Sequence, residues 1–155
     1  MAGQAPGIDL AAANRMFADS FPHCRELGIR ICGIGDDWAE VQLDYQDRLV
    51  GDPATGVLHG GVITTLVDTV CGMAVFAKLK RFLAIATLDL RIDYLGPATP
   101  GARLVARAEC YRTTRRIAFV HGSAFHAGEA PIANCVGTFM LNSSKAPPID
   151  PRRAT

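Results

Sequence analysis

Within the sixteen residues 57–72, VLHGGVITTLVDTVCG, a histidine precedes a glycine pair and one carboxylate, Asp68, stands alone. Asp68 is the only charged residue from 62 to 77. Burying an ionised carboxylate without partners costs several kcal/mol, so its presence needs a reason. On a helix its neighbours three and four positions away are Thr64, Thr65, Cys71 and Gly72, and none is a cation. Two explanations stand. Asp68 is a structural carboxylate, hydrogen-bonded or paired with a cation from another element such as Arg91. Or it is a general base or nucleophile facing a cleft, the setting in which carboxylates acquire useful basicity.

His59 and Asp68 lie nine residues apart, half a turn out of phase if both were helical. His59 therefore belongs to the loop before the first turn. Gly60 and Gly61 then fall where a helix leaves its N–H groups unpaired and its dipole is positive, and with no side chains they admit a ligand oxygen. That is the chemistry of an oxyanion site. The alternative is a tight turn with His59 as a polar cap.

These residues need elements to hold them. Leu10–Ser20 is alanine-rich and helical, and Pro22 prevents that helix from continuing. LGIRICGIGDDWAEVQLDY alternates as two strands that turn at Gly35-Asp36-Asp37. Residues 48–56, RLVGDPATG, have the composition of a loop. Residues 62–77 are apolar on every side and read as a helix buried all round, the central helix of about 60–79, ended near Lys78, Lys80 and Arg81. Leu88, Leu90, Ile92 and Tyr94 alternate with Asp89, Arg91 and Asp93, one core face and one wet face of a strand. Three more strand-length runs follow at 103–112, 116–127 and 131–141, and links this short make neighbours antiparallel.

The expected fold is α+β: one antiparallel sheet wrapped around a long central helix, in a single domain over 1–142. The polar, proline-rich tail 143–155 is expected to be disordered. A helix apolar all round needs a curved sheet or a second helix against its far side, and the same helix of another subunit serves, so a two-fold dimer is expected.

The 155 residues carry a formal charge of +1, which provides no global field for nucleic acid or an anionic membrane. The first residues show neither a basic leader nor a continuous apolar run, and a cytoplasmic location is the expectation. The five cysteines lack C-x-x-C spacing and read as buried thiols. His121 and His126 are an odd number of residues apart on one strand and face opposite sides, so together they do not chelate a metal. No metal site is expected.

GVLHGGVITTLVDTVCG followed by ATLDLRIDYLGPATPG resembles the hotdog-fold acyl-CoA thioesterases of the phenylacetate-pathway (PaaI-like) type, over residues 51–141. The resemblance implies a hotdog fold, dimers with two active sites at their interface, a dimer of dimers, and hydrolysis of an acyl- or aryl-CoA thioester. It implies no metal or prosthetic group, coenzyme A entering as part of the substrate. Asp68 matches the family's catalytic acid, a general base on water or a nucleophile. Gly60 matches the glycine whose N–H polarises the thioester carbonyl, donor and carboxylate coming from different subunits. Thr87 matches a Ser/Thr that helps hold the attacking water, and His59 supports the geometry. Gly61 and Thr65 go with substrate binding, and Arg112, Arg115 and Arg116 at a hairpin turn are candidates for the coenzyme A phosphates or form a solvated tip. Met73, Phe76, Leu79 and Phe82 are candidates for an acyl tunnel.

One departure stands out. Family members often carry an asparagine before the histidine as a second carbonyl contact, whereas this chain has Asp52-Pro53. An ionised aspartate there would repel the developing oxyanion, so that role is not carried onto Asp52. The rival functions are a non-catalytic acyl-CoA sensor and a hotdog-fold enoyl-CoA hydratase or dehydratase.

Overall fold

The structure is a computed structural model that describes residues 9–142; the tail 143–155 lies outside them. Asp9 caps the first helix, α1 (Leu10–Ser20), by accepting from the Ala11 and Ala12 N–H groups. Pro22 does end α1, but it also opens a second short helix, α2 (Pro22–Leu27). Proline's fixed φ and missing N–H suit the first helical position. Gly28, at φ 78°, closes α2.

Strands β1 (Arg30–Ile34) and β2 (Trp38–Leu43) form the expected hairpin. The stretch read as a loop holds more structure than its composition suggests: one tight helical turn, Asp47–Leu49, then a two-stranded ribbon of β3 (Val50–Asp52) and β4 (Val57–Leu58). Helix α3 (Gly60–Leu79) follows, then β5 (Ile85–Tyr94), β6 (Leu104–Thr113), β7 (Ile117–Phe125) and β8 (Pro131–Leu141). The main sheet is ordered β1-β2-β6-β7-β8-β5, every neighbouring pair antiparallel.

α3 lies across the sheet, chiefly against β2, β6 and β7. Leu66, Val67, Val70, Cys71, Ala74 and Val75 meet Val41, Leu43, Leu104, Val120 and Phe139 in one continuous core. Each large side chain buried there contributes roughly 1.5–3 kcal/mol. By length and composition α3 would also cross a membrane, yet it is the core helix of this fold. Lys78 and Lys80 tie its C-terminal end to Asp37 and Asp36 in the β1–β2 turn.

Contrary to the sequence reading, α3 is not buried all round. Gly60, Gly61 and Thr64 are exposed and Thr65, Asp68 and Thr69 half-buried, giving the N-terminal half a polar stripe that the sheet leaves open. The stripe escaped notice because glycine and threonine carry no charge to mark it.

The two sheet edges differ. At β1 the Asn14 side chain makes two 2.8 Å hydrogen bonds to the backbone of Ile31, seating α1 on that edge. The outer edge of β5 has no partner strand among the described residues.

Candidate active site

β5 carries a register shift between Thr87 and Asp89 where it pairs with β8. The extra residue, Leu88, is turned out and 53% exposed, which corrects the strict alternation read from the sequence. A bulge reverses the in-and-out phase of a strand. Thr87 therefore joins Leu90, Ile92 and Tyr94 on the inner face, and its hydroxyl donates to Asp68 Oδ1 at 3.0 Å. The second Asp68 oxygen has no protein donor among the described residues. Arg91 does not supply the cation that a structural ion pair requires, because it pairs with Asp93 at 3.0 Å. A half-buried carboxylate with one oxygen oriented and the other open is arranged to take a proton from water.

At the start of α3, His59 is the N-cap, and its Nδ1 accepts from the Gly61 N–H at 2.9 Å. The Val62 N–H goes to the His59 carbonyl. With those two donors occupied, the Gly60 N–H is left without an acceptor among the described residues. Of the glycine pair, Gly60 is thus the one whose N–H is free to meet a ligand oxygen. Gly51 allows this geometry, since a Cβ there would stand 2.7 Å from His59 Cα.

Thr65 donates to the Gly61 carbonyl. Thr65, Gly61 and Val62 line a cleft of about 380 Å³ together with His23, Leu27, Leu49 and Val50. This cleft adjoins the N-terminal end of α3, and none of Met73, Phe76, Leu79 and Phe82 lines it. Phe76 and Phe82 instead pack on each other, 4.8 Å between centroids.

Asp52 is occupied locally. Its carboxylate accepts from the Thr55 hydroxyl at 2.7 Å and the Ala54 N–H at 3.0 Å, which hold it below the usual carboxylate range. Arg112, Arg115 and Arg116 are exposed around the β6–β7 turn. The Arg116 carbonyl accepts from the Leu141 N–H, placing that turn at the end of the sheet where β5 begins. His121 is exposed, whereas His126 is buried and clasps the Thr99 N–H and the Arg103 carbonyl. The described residues contain no cluster of three His, Cys, Asp or Glu side chains placed to hold a metal.

The sequence reading passed over Tyr94. Its hydroxyl donates to the Gly60 carbonyl at 3.0 Å and lies 2.8 Å from the Thr64 hydroxyl. An aromatic residue in phase with Leu90 and Ile92 was the available signal, but alternation alone made it a core side chain.

A family model described as thioesterase superfamily matches residues 55–133, a stretch that contains the cap, α3, β5 and the two strands after it. The chain belongs to the thioesterase superfamily. The medium/long-chain acyl-CoA thioesterase YigI of Escherichia coli K12 is 26% identical over 145 residues, covering 85% of this chain and 93% of that protein. A crystal structure of a Pseudomonas aeruginosa protein superposes with a TM-score of 0.75 at 40% identity, covering 86% of this chain and 98% of that one. The phenylacetic acid degradation protein PaaI of Thermus thermophilus, in a mutant structure, gives 0.69 at 26% identity, covering 78% and 99%. The fold of this thioesterase-superfamily member is the hotdog: one antiparallel sheet around a central helix.

Proposed function

We propose that this chain hydrolyses acyl-CoA thioesters, with Asp68 as general base. The carrying observation is Asp68 on the open stripe of α3 accepting from the Thr87 hydroxyl of β5 at 3.0 Å, with its other carboxylate oxygen free. In the proposed reaction water attacks the thioester carbonyl carbon and Asp68 takes its proton. The oxyanion is held by a Gly60 N–H. As the C–S bond breaks, the coenzyme A sulfur leaves and receives the proton from Asp68, giving a free acid and a free thiol. The base, the hydroxyl beside it and the N–H donor all come from the chain and the water from solvent, so the proposed reaction calls on no cofactor. Arg112, Arg115 and Arg116 are proposed for the coenzyme A phosphates.

Two copies complete the site. Gly60 and Asp68 are eight residues apart on one helix, which separates them by roughly 12 Å along its axis. A single carbonyl cannot touch both within one chain. A second α3 running antiparallel across a two-fold axis brings the Gly60 of one copy to the Asp68 of the other. The unpaired β5 edge supports this arrangement, as do the exposed Leu88, Tyr94 and Leu95 beside it. A second apolar surface, with Tyr111, Val136 and Met140 exposed on the outer face of the sheet, supports a dimer of dimers. We assign the enzyme to the cytoplasm.

The test is release of free thiol from a panel of aliphatic and aryl acyl-CoAs, with product analysis, by the wild type and Asp68→Ala at matched folding. Thiol release that falls about a hundredfold or more in the variant supports the reading. Intact thioester throughout points to a sensor, and water added across the double bond of a 2-enoyl-CoA included in the panel, with the thioester kept, to a hydratase.

A further inference from the structure

We propose that Tyr94 is a positioning residue that, together with His59, clamps the Gly60–Gly61 peptide and so aims the Gly60 N–H. The proposal rests on the thioesterase reading above. The peptide joining Gly60 to Gly61 is held at both ends: its carbonyl accepts from the Tyr94 hydroxyl at 3.0 Å, and its N–H donates to His59 Nδ1 at 2.9 Å. Thr64 closes the network, its hydroxyl within 3.2 Å of the same carbonyl and 2.8 Å of the Tyr94 oxygen. The tyrosine ring also lies over Gly60, its atoms 3.7–3.9 Å from where a Cβ would stand.

The clamp matters because of what it clamps. Two successive glycines have the widest torsional freedom in the chain, and the first turn of a helix lacks half of its ladder hydrogen bonds. The Gly60 N–H belongs to the preceding peptide, whose carbonyl accepts from the Val62 N–H; fixing the peptide that follows restricts the remaining rotation about the two backbone bonds of Gly60. Oxyanion stabilisation depends on a donor already aimed where charge will develop, and a displacement of about 1 Å at a reacting centre can cost a hundredfold in rate. Tyr94 comes from β5, the strand that also delivers Thr87 to Asp68. One strand thus orients both the base and the donor of each chain, although the two serve different sites in the proposed dimer.

Tyr94→Phe keeps the ring and removes the hydroxyl. In the full chain we expect kcat on the best acyl-CoA of the panel to fall roughly ten- to hundredfold. KM should stay within about twofold, because the lost interaction acts on the transition state. The Gly61 amide, followed by hydrogen exchange in the nitrogen-labelled protein, should exchange at least about tenfold faster as the clamp opens. Thr64→Val, which keeps the direct Tyr94–Gly60 bond, should show the same changes in weaker form. An unchanged kcat, a loss confined to KM, or an unchanged Gly61 exchange rate in Tyr94→Phe overturns the proposal while leaving the thioesterase reading in place. A wild type that cleaves no acyl-CoA overturns both.

Discussion

Asp68 draws its chemical character from one neighbour and one absence. Thr87 fixes the carboxylate through a single oxygen, and no cation sits against the other among the described residues. The cysteines nearby are the opposite case. Cys71, one helical turn from Asp68, is completely buried and 3.7 Å from the Cys135 sulfur, and the hydrogen bond to Cys135 and burial push its thiol upward. Even Cys32, the least buried, is pushed up to about 12 by burial and then by Glu40, and Cys135, which its hydrogen bond with Cys71 shifts downward, is itself buried away from reagent. A thiolate is the reactive form. The folded protein should therefore release less than about one equivalent of fast-reacting thiol to a disulfide reagent near pH 8, and all five thiols once unfolded. A fast second equivalent from the native protein would contradict this. Asp68, His59 and Gly60 were legible in the sequence because charge, glycine pairing and spacing set them apart in an apolar run. Tyr94 and the cleft residues His23, Leu27 and Leu49 were not, since their contacts are made across elements distant in the chain.

At the scale of elements, the decisive feature is the bulge at Leu88. Without it, the alternation of β5 would turn Thr87 outward, away from Asp68. A bulge leaves no compositional mark in a strand that already alternates, which explains why the sequence placed Leu88 on the core face. An antiparallel sheet and the extent of α3 were readable, because short links force neighbouring strands antiparallel, but the sheet order was not: β5 pairs with β8 and not with β6, the next strand in the chain. The closure of the β1 edge by Asn14 was hidden, as one asparagine in an alanine-rich helix reads as an exposed polar residue. Asn14→Ala removes both bonds to the Ile31 backbone and should cost about 1–2 kcal/mol in denaturant unfolding, with thiol release by the folded fraction unaffected. A variant as stable as the wild type would show that α1 does not hold that edge.

At the scale of the molecule, the proposed assembly follows from the geometry of one helix. The proposed base, Asp68, and the proposed donor, Gly60, sit on the same stripe of α3 but about two turns apart, beyond the reach of one carbonyl. The proposed two-fold pairing resolves this and also covers the open β5 edge. The arrangement permits a clean dissection. Gly60 is the first residue of α3 and His59 before it has φ −60° and ψ 134°, a backbone that accepts a following proline. Gly60→Pro therefore removes the N–H with little disturbance to the helix, and Asp68→Asn removes the base while keeping its shape. Each variant alone should lose about a hundredfold or more of thiol release. Mixed and allowed to exchange subunits, half of the dimers become hybrids carrying one intact site of two, and activity should recover to about a quarter of the wild-type rate. Recovery of that size demonstrates a site shared between two copies. No recovery, with subunit exchange verified by mass, would contradict it.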